Sequence, residues 1–233
     1  MNIKTVIRLG VFLAVLSAGV IYLPTQWAAG TKLGSLSFTD RFESLDAWTM
    51  PHPEDWAILG DNASGHYLHM KRSRDPGVPR RPLQFVLLKN RNVGSFDLRV
   101  RVRREGGSMI LVYNYVDTLH FYYAHLSVDP GIQEGVHNGI FLVNNAPRVR
   151  IGGAGSKPAL PDTSWHSIRL LRDVKSGRTE VWSDVQKEPL FTVMDRTFGC
   201  GQIGLGSFDE TGDFADVDLK SSDAGCGPAV VAP

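Results

Sequence analysis

The 233-residue sequence has no excess of charge of either sign. It contains 25 Lys and Arg against 24 Asp and Glu, so its net charge is close to zero. A protein that binds nucleic acid through its phosphates needs a surplus of cations on one face. The one basic stretch, between Lys71 and Arg81, is more typical of a solvated loop. Nucleic acid is therefore not an expected partner.

Cysteine is scarce as well, with Cys200 and Cys226 as the two examples. Zinc usually takes four ligands in close pairs, so this spacing is poor evidence for zinc. In an oxidising compartment we expect the two to form a disulfide that ties the C-terminal tail, residues 223–233, to the preceding strands. Two unpaired thiols are the alternative.

The longest apolar run is short and lies at the N-terminus. Lys4 and Arg8 precede Leu9–Leu23, a pattern typical of export. We expect residues 1–30 to form a hydrophobic export helix, cleaved as a signal peptide after Gly30. The alternative is an uncleaved membrane anchor, because Val6–Leu23 is just long enough to span a bilayer. Either way, the rest of the chain is expected outside the cytoplasm: periplasmic, extracellular or membrane-anchored.

After Leu33 no segment keeps the apolar spacing of an amphipathic helix, and strand patterns dominate. Ser95–Arg103 alternates strictly, which places its apolar residues on one face and its arginines on the other. With Met109–Tyr115 and Leu119–Ser127 it predicts a three-stranded meander. About twelve strands, and no linker or repeat, predict one all-β domain over residues 31–222, an antiparallel β-sandwich.

Four parts of the sequence form a recognisable set: Phe42 to Trp48, Ile110–Tyr123 with its Asp117 turn, Trp165–Leu170 followed by Gly177–Trp182, and Gly201–Gly206 followed by Phe214–Val217. Together they resemble concanavalin A-like (laminin G-like) sandwich domains. The resemblance covers residues 36–220 and implies a jelly-roll sandwich of the lectin/glucanase type. A more general likeness connects the chain to bacterial exported domains of the 3-keto-glycoside hydrolase type. This fold hosts lectins, glycosidases, lyases and adhesion modules, so it does not fix the function.

Known catalytic patterns of these and other enzymes are missing from the sequence. Glycosidases of the laminarinase-like group carry Glu-x-Asp-x-x-Glu on one strand, which aligns the carboxylates on one face. No such strand occurs, nor do the alginate-lyase motifs, Gly-x-Ser-x-Gly, His-Glu-x-x-His or a phosphate-binding glycine loop. Classical hydrolase or lyase chemistry is therefore not expected.

A candidate ligand site lies around an aromatic strand. Alternation places Phe121, Tyr123 and His125 on one face. His137, Asn138 and Arg148 would join them in one pocket if the neighbouring strands pair. Aromatic rings beside directed polar groups suit a sugar, and the same side chains could supply a general base. The alternative is that His125 is a satisfied, half-buried residue and the tyrosines belong to the core.

Other aromatic residues are expected to be structural. Tyr113 and Tyr115 share a face with Met109 and Leu111, which is a core pattern. We also expect Trp165 in the core and Trp182 toward the surface.

A structural calcium ion is implied by the resemblance, because members of this fold often hold one through an Asp of the last strand. Asp216 occupies that position, and Asp40 is a weaker second candidate. Carbonyl oxygens with one or two carboxylates can supply the six to eight ligands that calcium takes. The alternative is that Asp216 is an outward-facing polar residue.

Three functions remain open at this point. The first is an exported carbohydrate-binding (lectin-like) or adhesion module with no classical catalytic motif. The second is a glycoside hydrolase that uses His125, His137 and Arg148 in a concave cleft. The third is an envelope domain that binds another protein through a sheet edge. Carbohydrate is the expected partner, and the membrane is contacted only through an uncleaved N-terminal helix.

Overall fold

The computed structural model describes residues 36–62, 64–128, 138–222 and 226. The expected export helix and most of the C-terminal tail lie outside the described residues. The described part contains one short 3-10 helix, Pro53–Asp55, and no helix with the length and apolarity that a membrane crossing needs. Its strands are β1 (Leu36–Asp40), β2 (Trp48–Thr49), β3 (Trp56–Asp61), β4 (Gly65–Met70), β5 (Gln84–Leu88), β6 (Ser95–Arg104), β7 (Ser108–Asp117), β8 (His120–Ser127), β9 (Gly139–Asn144), β10 (Val149–Gly152), β11 (His166–Asp173), β12 (Arg178–Ser183), β13 (Phe191–Met194), β14 (Gln202–Ser207) and β15 (Gly212–Ser222).

These strands form two antiparallel sheets that pack face to face. The eight-stranded sheet has the order β13-β12-β11-β6-β15-β4-β3, with β1 paired to β15 beside β4. The seven-stranded sheet has the order β10-β9-β8-β7-β14-β5-β2. The all-β antiparallel sandwich predicted from the sequence is therefore confirmed. The number of strands is higher than the expected twelve, partly because the two-residue β2 has no sequence signal.

The core between the sheets follows the period of two read in the sequence. On β6, the apolar side chains Phe96, Leu98, Val100 and Val102 are buried, while the arginines between them face outward. The apolar face of one sheet packs against the apolar face of the other, so on β6 the alternation decides which side chains leave water. The outward row of arginines on β6 becomes important at the candidate site.

The predicted three-stranded meander is wrong. β7 and β8 do form a hairpin, but β6 pairs with β11 and β15 in the other sheet. The glycine turn after Arg104 therefore carries the chain from one sheet to the other. β6 and β7 each have an apolar face, and placing the two strands in opposite sheets packs these faces toward each other.

A β-bulge in β7 corrects a second expectation. Asn114 has a φ of 44°, and the register with β8 shifts between Tyr113 and Asp117. An extra residue in one strand reverses the alternation beyond it. Tyr113 therefore points into the core as expected, whereas Tyr115 lies on the opposite, outer face of the sheet.

The long strand β15 is interrupted by a bulge in its middle. Asp216 has a φ of 51°, and the register with β6 shifts between Ala215 and Asp218. On its other edge, β15 pairs with β4 before the bulge and with β1 after it. Neither neighbour pairs with Asp216 itself, so a gap opens in the sheet at this residue. Arg41, directly after β1, reaches Asp216 and Asp218 across that gap.

A second apolar cluster covers the outer face of the seven-stranded sheet. It contains Phe85, Phe121, Tyr123, Phe141 and Phe208, all at most 5% exposed. Residues 71–83, which we call the strap, contact this cluster and its sheet. The guanidinium of Arg80 in the strap lies 4.8 Å from the ring centre of Phe208.

A buried carboxylate outside the strap, that of Asp55, anchors its first part. Asp55 is fully buried, and its Oδ2 accepts hydrogen bonds from Arg74 Nε at 2.5 Å and Gln84 Nε2 at 2.9 Å. The hydrogen bond from Arg74 lowers the pKa of Asp55 below its ordinary value of 3.8. This ion pair holds the strap against the end of the sandwich.

The lowered pKa of Asp55 predicts acid sensitivity. Its contribution to stability is complete above the ordinary pKa and is lost as the pH falls through the lower pKa of the folded state. Asp55→Asn should lower the free energy of unfolding by about 2 kcal/mol at pH 7, because charge-assisted hydrogen bonds are lost. It should also flatten the pH dependence of urea unfolding below pH 5. Asp75→Asn, an exposed position in the same strap, is the control and should change neither quantity.

The expected disulfide between Cys200 and Cys226 is present, with the two Cα atoms 5.6 Å apart. It closes a loop over a sequence separation of 26. We expect Cys226→Ser to lower the free energy of unfolding by about 3.5 kcal/mol, the loop entropy for this separation. Unfolding of the wild type with and without reductant gives an independent measurement of the same quantity. A difference below 1 kcal/mol in both comparisons would contradict the prediction.

Candidate functional site

The predicted ligand site on β8 is brought together but buried. Phe121, Tyr123 and His125 lie on one face, as the alternation predicts, yet their exposed fractions are 0%, 0% and 3%. The ring of Tyr123 stacks on Phe141, with ring centres 5.1 Å apart. His125 Nε2 lies 2.9 Å from Ser108 Oγ. No face of these rings is open to a ligand in this arrangement.

Arg148 joins the same cluster. Its Nη1 donates to the hydroxyl of Tyr123 at 2.8 Å, and its guanidinium lies 3.9 Å from the ring centre of Phe208. Its backbone N–H donates to the carbonyl of Arg80 in the strap. Burial raises the pKa of the Tyr123 hydroxyl. Arg148 therefore connects the strap to the aromatic cluster.

Asn138 is fully buried and works as a connector between loops. Its Oδ1 accepts from the backbone N–H of Ser127, and its Nδ2 donates to the carbonyl of Lys157. Its hydrogen bonds join the end of β8, at Ser127, to the loop that contains Ser156 and Lys157. His137 lies outside the described residues, so the full predicted set stays a prediction.

The two predicted calcium ligands already have protein partners. Asp216 lies between Arg41 Nε at 3.2 Å and Arg101 Nε at 2.5 Å. Asp40 accepts from the backbone N–H of Phe42 and from the indole N–H of Trp48, both at 2.7 Å. A calcium ion at Asp216 would have to displace two guanidinium groups, and calcium binding there stays a prediction.

Among the described residues, one group has the composition of a metal site. His69, Glu105 and Asp213 place ligand atoms within 4.8 Å of one another on the outer face of the eight-stranded sheet. Asp213 is buried, and its two oxygens contact His69 Nδ1 at 2.8 Å and Arg103 Nε at 2.7 Å. Glu105 accepts from the hydroxyl of Thr211. Each of the three residues therefore already has a protein partner.

The outer face of the eight-stranded sheet carries adjoining depressions. One of about 720 Å³ lies at the gap in β15 and reaches Asp216 from the β3–β4 hairpin. The next, of about 620 Å³, shares Asp216 and extends to Trp182. A third, of about 350 Å³, shares Arg99 and Asp218 with the second. We call the second and third together the outer groove.

One wall of the outer groove is a tryptophan backed by an ion pair. Trp182 on β12 is partly exposed, and the guanidinium of Arg169 lies 4.8 Å from its ring centre. Arg169 Nε and Nη2 donate to the two oxygens of Asp97 at 2.9 and 2.7 Å. These hydrogen bonds raise the pKa of Arg169 above its ordinary value. The pair fixes Arg169, and Arg169 in turn supports the indole ring.

A short loop after β12 completes this wall. Residues 184–187 line the groove, and the backbone N–H of Asp184 donates to the carbonyl of Ser167 at 2.7 Å. Asp184 also accepts from the backbone N–H of Ser167 and contacts buried His166 Nδ1 at 2.9 Å. Both the backbone and the side chain of Asp184, the first residue of the loop, thus hold the loop to β11.

Sequence reasoning anticipated parts of this surface without recognising it as a site. Trp182 was expected toward the surface, and the arginines of β6 were expected on its outer face; both expectations are confirmed. Trp165 was expected in the core, which is wrong: it lies partly exposed on the outer face between Tyr67, Arg101 and Arg103. The available signal was the alternation of β11, which places Trp165 in phase with Arg169 rather than with Ile168.

Comparison with known proteins identifies the fold. The concanavalin A-like lectin/glucanase sandwich is shared with the carbohydrate-binding module CBM66 of Bacillus subtilis, at 17% identity and a TM-score of 0.53, over 75% of this chain and 96% of that one. A candidate glycosyl hydrolase from Parabacteroides distasonis ATCC 8503 matches at 11% identity and 0.56, over 81% and 100%. Xylan β-1,4-xylosidase of Bacillus halodurans C-125 matches at 11% and 0.52, over 78% of this chain but 39% of that one.

No family model matches the sequence, and a search of curated proteins finds no match. The likeness to solved structures lies far below the identity at which function can be transferred, so it establishes the fold alone. The fold is one that includes carbohydrate-binding modules, and the role of this chain has to be argued from its own surfaces.

The burial of the β8 aromatics predicts that they stabilise the protein. Phe121→Ala should lower the free energy of unfolding by about 3–5 kcal/mol, because a fully buried phenyl ring leaves a cavity. Leu59→Ala, at a position 42% exposed, is the matched control and should cost about 0.5 kcal/mol or less. Urea unfolding followed by circular dichroism measures both. A cost for Phe121→Ala as small as that of the control would show that the ring is open, as a ligand surface requires.

Proposed function

We propose that this protein is an exported carbohydrate-binding domain that does not turn over its ligand, and that the outer groove holds the sugar. The proposal rests on the partly exposed indole of Trp182 beside paired charged groups in a groove. A sugar ring has apolar C–H faces and a rim of hydroxyls, so it needs an aromatic surface and directed polar groups together. The outer groove offers both, whereas the β8 cluster is closed.

The polar groups of the groove are held in place before any ligand arrives. Arg101 is fixed by Asp216 and by the carbonyl of Ser64. Asp218 is fixed by Arg41 and by the hydroxyl of Thr39. Side chains that are already ordered lose little conformational entropy when they bind. This arrangement suits recognition of hydroxyl groups at fixed positions.

The same arrangement supports binding rather than hydrolysis. A glycosidase needs one carboxyl group that stays protonated to act as the acid, with a second carboxylate nearby. Asp97, Asp216 and Asp218 each contact at least one guanidinium group, so their oxygens already serve as hydrogen-bond acceptors. They are therefore suited to accept hydrogen bonds from hydroxyls.

Location outside the cytoplasm is the second part of the proposal. The Cys200–Cys226 disulfide is typical of an oxidising compartment. The basic and apolar pattern of residues 1–30 is typical of an export signal. Extracellular or periplasmic glycans are the ligands available there.

A glycan array with the purified full chain tests the proposal, with calcium and with chelator, and with assay of released sugar in the same wells. Binding without product supports it. Released product would replace it with the glycoside hydrolase hypothesis. If no well binds or reacts, the protein-interaction hypothesis takes its place. Binding that chelator abolishes would point to the predicted calcium ion.

Substitution of Trp182 locates the site. Trp182→Ala should weaken binding of the best array ligand at least tenfold, since loss of one stacking aromatic removes about 1.4 kcal/mol or more. Trp182→Phe keeps a smaller ring, so its affinity should lie between those of the wild type and Trp182→Ala. Val116→Ala, at an exposed position on the other sheet, is the control and should bind like the wild type. Titration calorimetry measures all four proteins. Full binding by Trp182→Ala would move the site elsewhere.

A further inference from the structure

We infer that the glycan bound in the outer groove is acidic, and that Arg99 binds its carboxylate. This inference rests on the proposed function, because it names the ligand class of the same groove. It depends on how the charges of the groove pair with one another. Four arginines and four aspartates line or contact the groove: Arg41, Arg99, Arg101, Arg169, Asp97, Asp184, Asp216 and Asp218.

Each aspartate is already engaged by groups other than Arg99. Asp184 contacts His166 Nδ1 at 2.9 Å and accepts from the backbone N–H of Ser167, and arginines hold the other three. Both oxygens of Asp97 accept from Arg169. Asp216 lies between Arg41 and Arg101, and Asp218 accepts two hydrogen bonds from Arg41, each at 3.1 Å. Every aspartate of the groove therefore has protein partners, and three of the four pair with arginines.

Arg99 is the one of these four arginines with capacity to spare. Its one ion pair joins Nε to Asp97 Oδ1 at 3.6 Å, longer than a hydrogen bond and directed at a carboxylate that Arg169 already holds. Its side chain is 63% exposed. Within the described part of the chain, its two terminal nitrogens make no hydrogen bond.

The position of Arg99 in the groove also supports the inference. It stands on β6 in the middle of the sheet and lines both depressions of the outer groove. Lys187 lines one depression and Lys220 the other, so positive side chains flank Arg99 on both sides. A carboxylate entering the groove meets a free guanidinium fork, which matches its two oxygens in a planar, bidentate contact.

A uronic acid is the sugar that combines these features. Its ring supplies an apolar face for Trp182, and its carboxylate supplies the partner that Arg99 lacks. A neutral sugar could use the indole and the paired aspartates but would leave the Arg99 fork without an anionic partner. The groove is thus expected to distinguish an acidic residue from its neutral ester.

Oligogalacturonate and its methyl ester are a matched pair of probes, since one methyl group on each carboxyl removes its charge and leaves the sugar rings unchanged. Titration calorimetry at about 0.15 M salt should show the free acid binding roughly tenfold more tightly than the ester to the wild type. Arg99→Ala should reduce that ratio to near one. Arg99→Lys should keep part of it, because an ammonium retains the charge but not the bidentate fork. Lys89→Ala removes the same charge outside the groove and should keep the full ratio.

The outcomes separate the inference from the function on which it rests. Equal binding of acid and ester by the wild type would overturn the acidic ligand while leaving carbohydrate binding in place. An acid preference that Arg99→Ala keeps, or that Lys89→Ala also loses, would overturn the role of Arg99. If neither probe binds and the glycan array is also silent, the proposed function itself is wrong. If neither probe binds but the array finds a neutral ligand, the acidic ligand is wrong.

Discussion

The bulge at Asp216 is the constraint on which the outer face of this sandwich depends. β15 is the one strand that pairs with β6 on one edge and with both β4 and β1 on the other. Between those two neighbours the sheet needs a side chain that bridges the gap, and Asp216 does so through Arg41 and Arg101. A left-handed backbone is tolerated by aspartate better than by most residues, which suits Asp216 to this place. The depressions on both sides follow from the gap.

Much of the fold was predictable because it depends on local pattern. The alternation of β6 identified its buried face, and the β7–β8 and β11–β12 hairpins pair as the turns between them predict. The partners of β6 were not predictable in the same way. Sheet membership depends on contacts between residues far apart in sequence, and the Gly106-Gly107 turn looks the same whether it joins strands in one sheet or crosses between two. The bulge in β7 has one weak sequence signal, the Asn at position 114, and that residue alone does not predict a bulge.

The candidate site shows where strand pattern stops being informative. An aromatic strand such as Phe121 to His125 has the same sequence whether its outer face is open to a sugar or covered by a strap. What covers it here is the strap, in which Arg74 binds Asp55 and Arg80 contacts Phe208 and the backbone of Arg148. Trp182 was assigned correctly to the surface, but its importance came from its neighbours. Exposure is a tertiary property, and it decides whether an aromatic ring stabilises the protein or meets a ligand.

The two outer faces of the sandwich therefore have different tasks. The strap turns the outer face of the seven-stranded sheet into a second core, which adds apolar burial to a chain whose sheets would otherwise each leave one face in water. The corresponding face of the eight-stranded sheet carries charged side chains instead. Its arginines and aspartates form cross-strand ion pairs, so their charges are paired with one another and the groove between them stays open to solvent. An open face ordered by its own ion pairs can bind a polar ligand at little entropic cost, and the one loosely paired arginine in it gives that face a preference for negative charge.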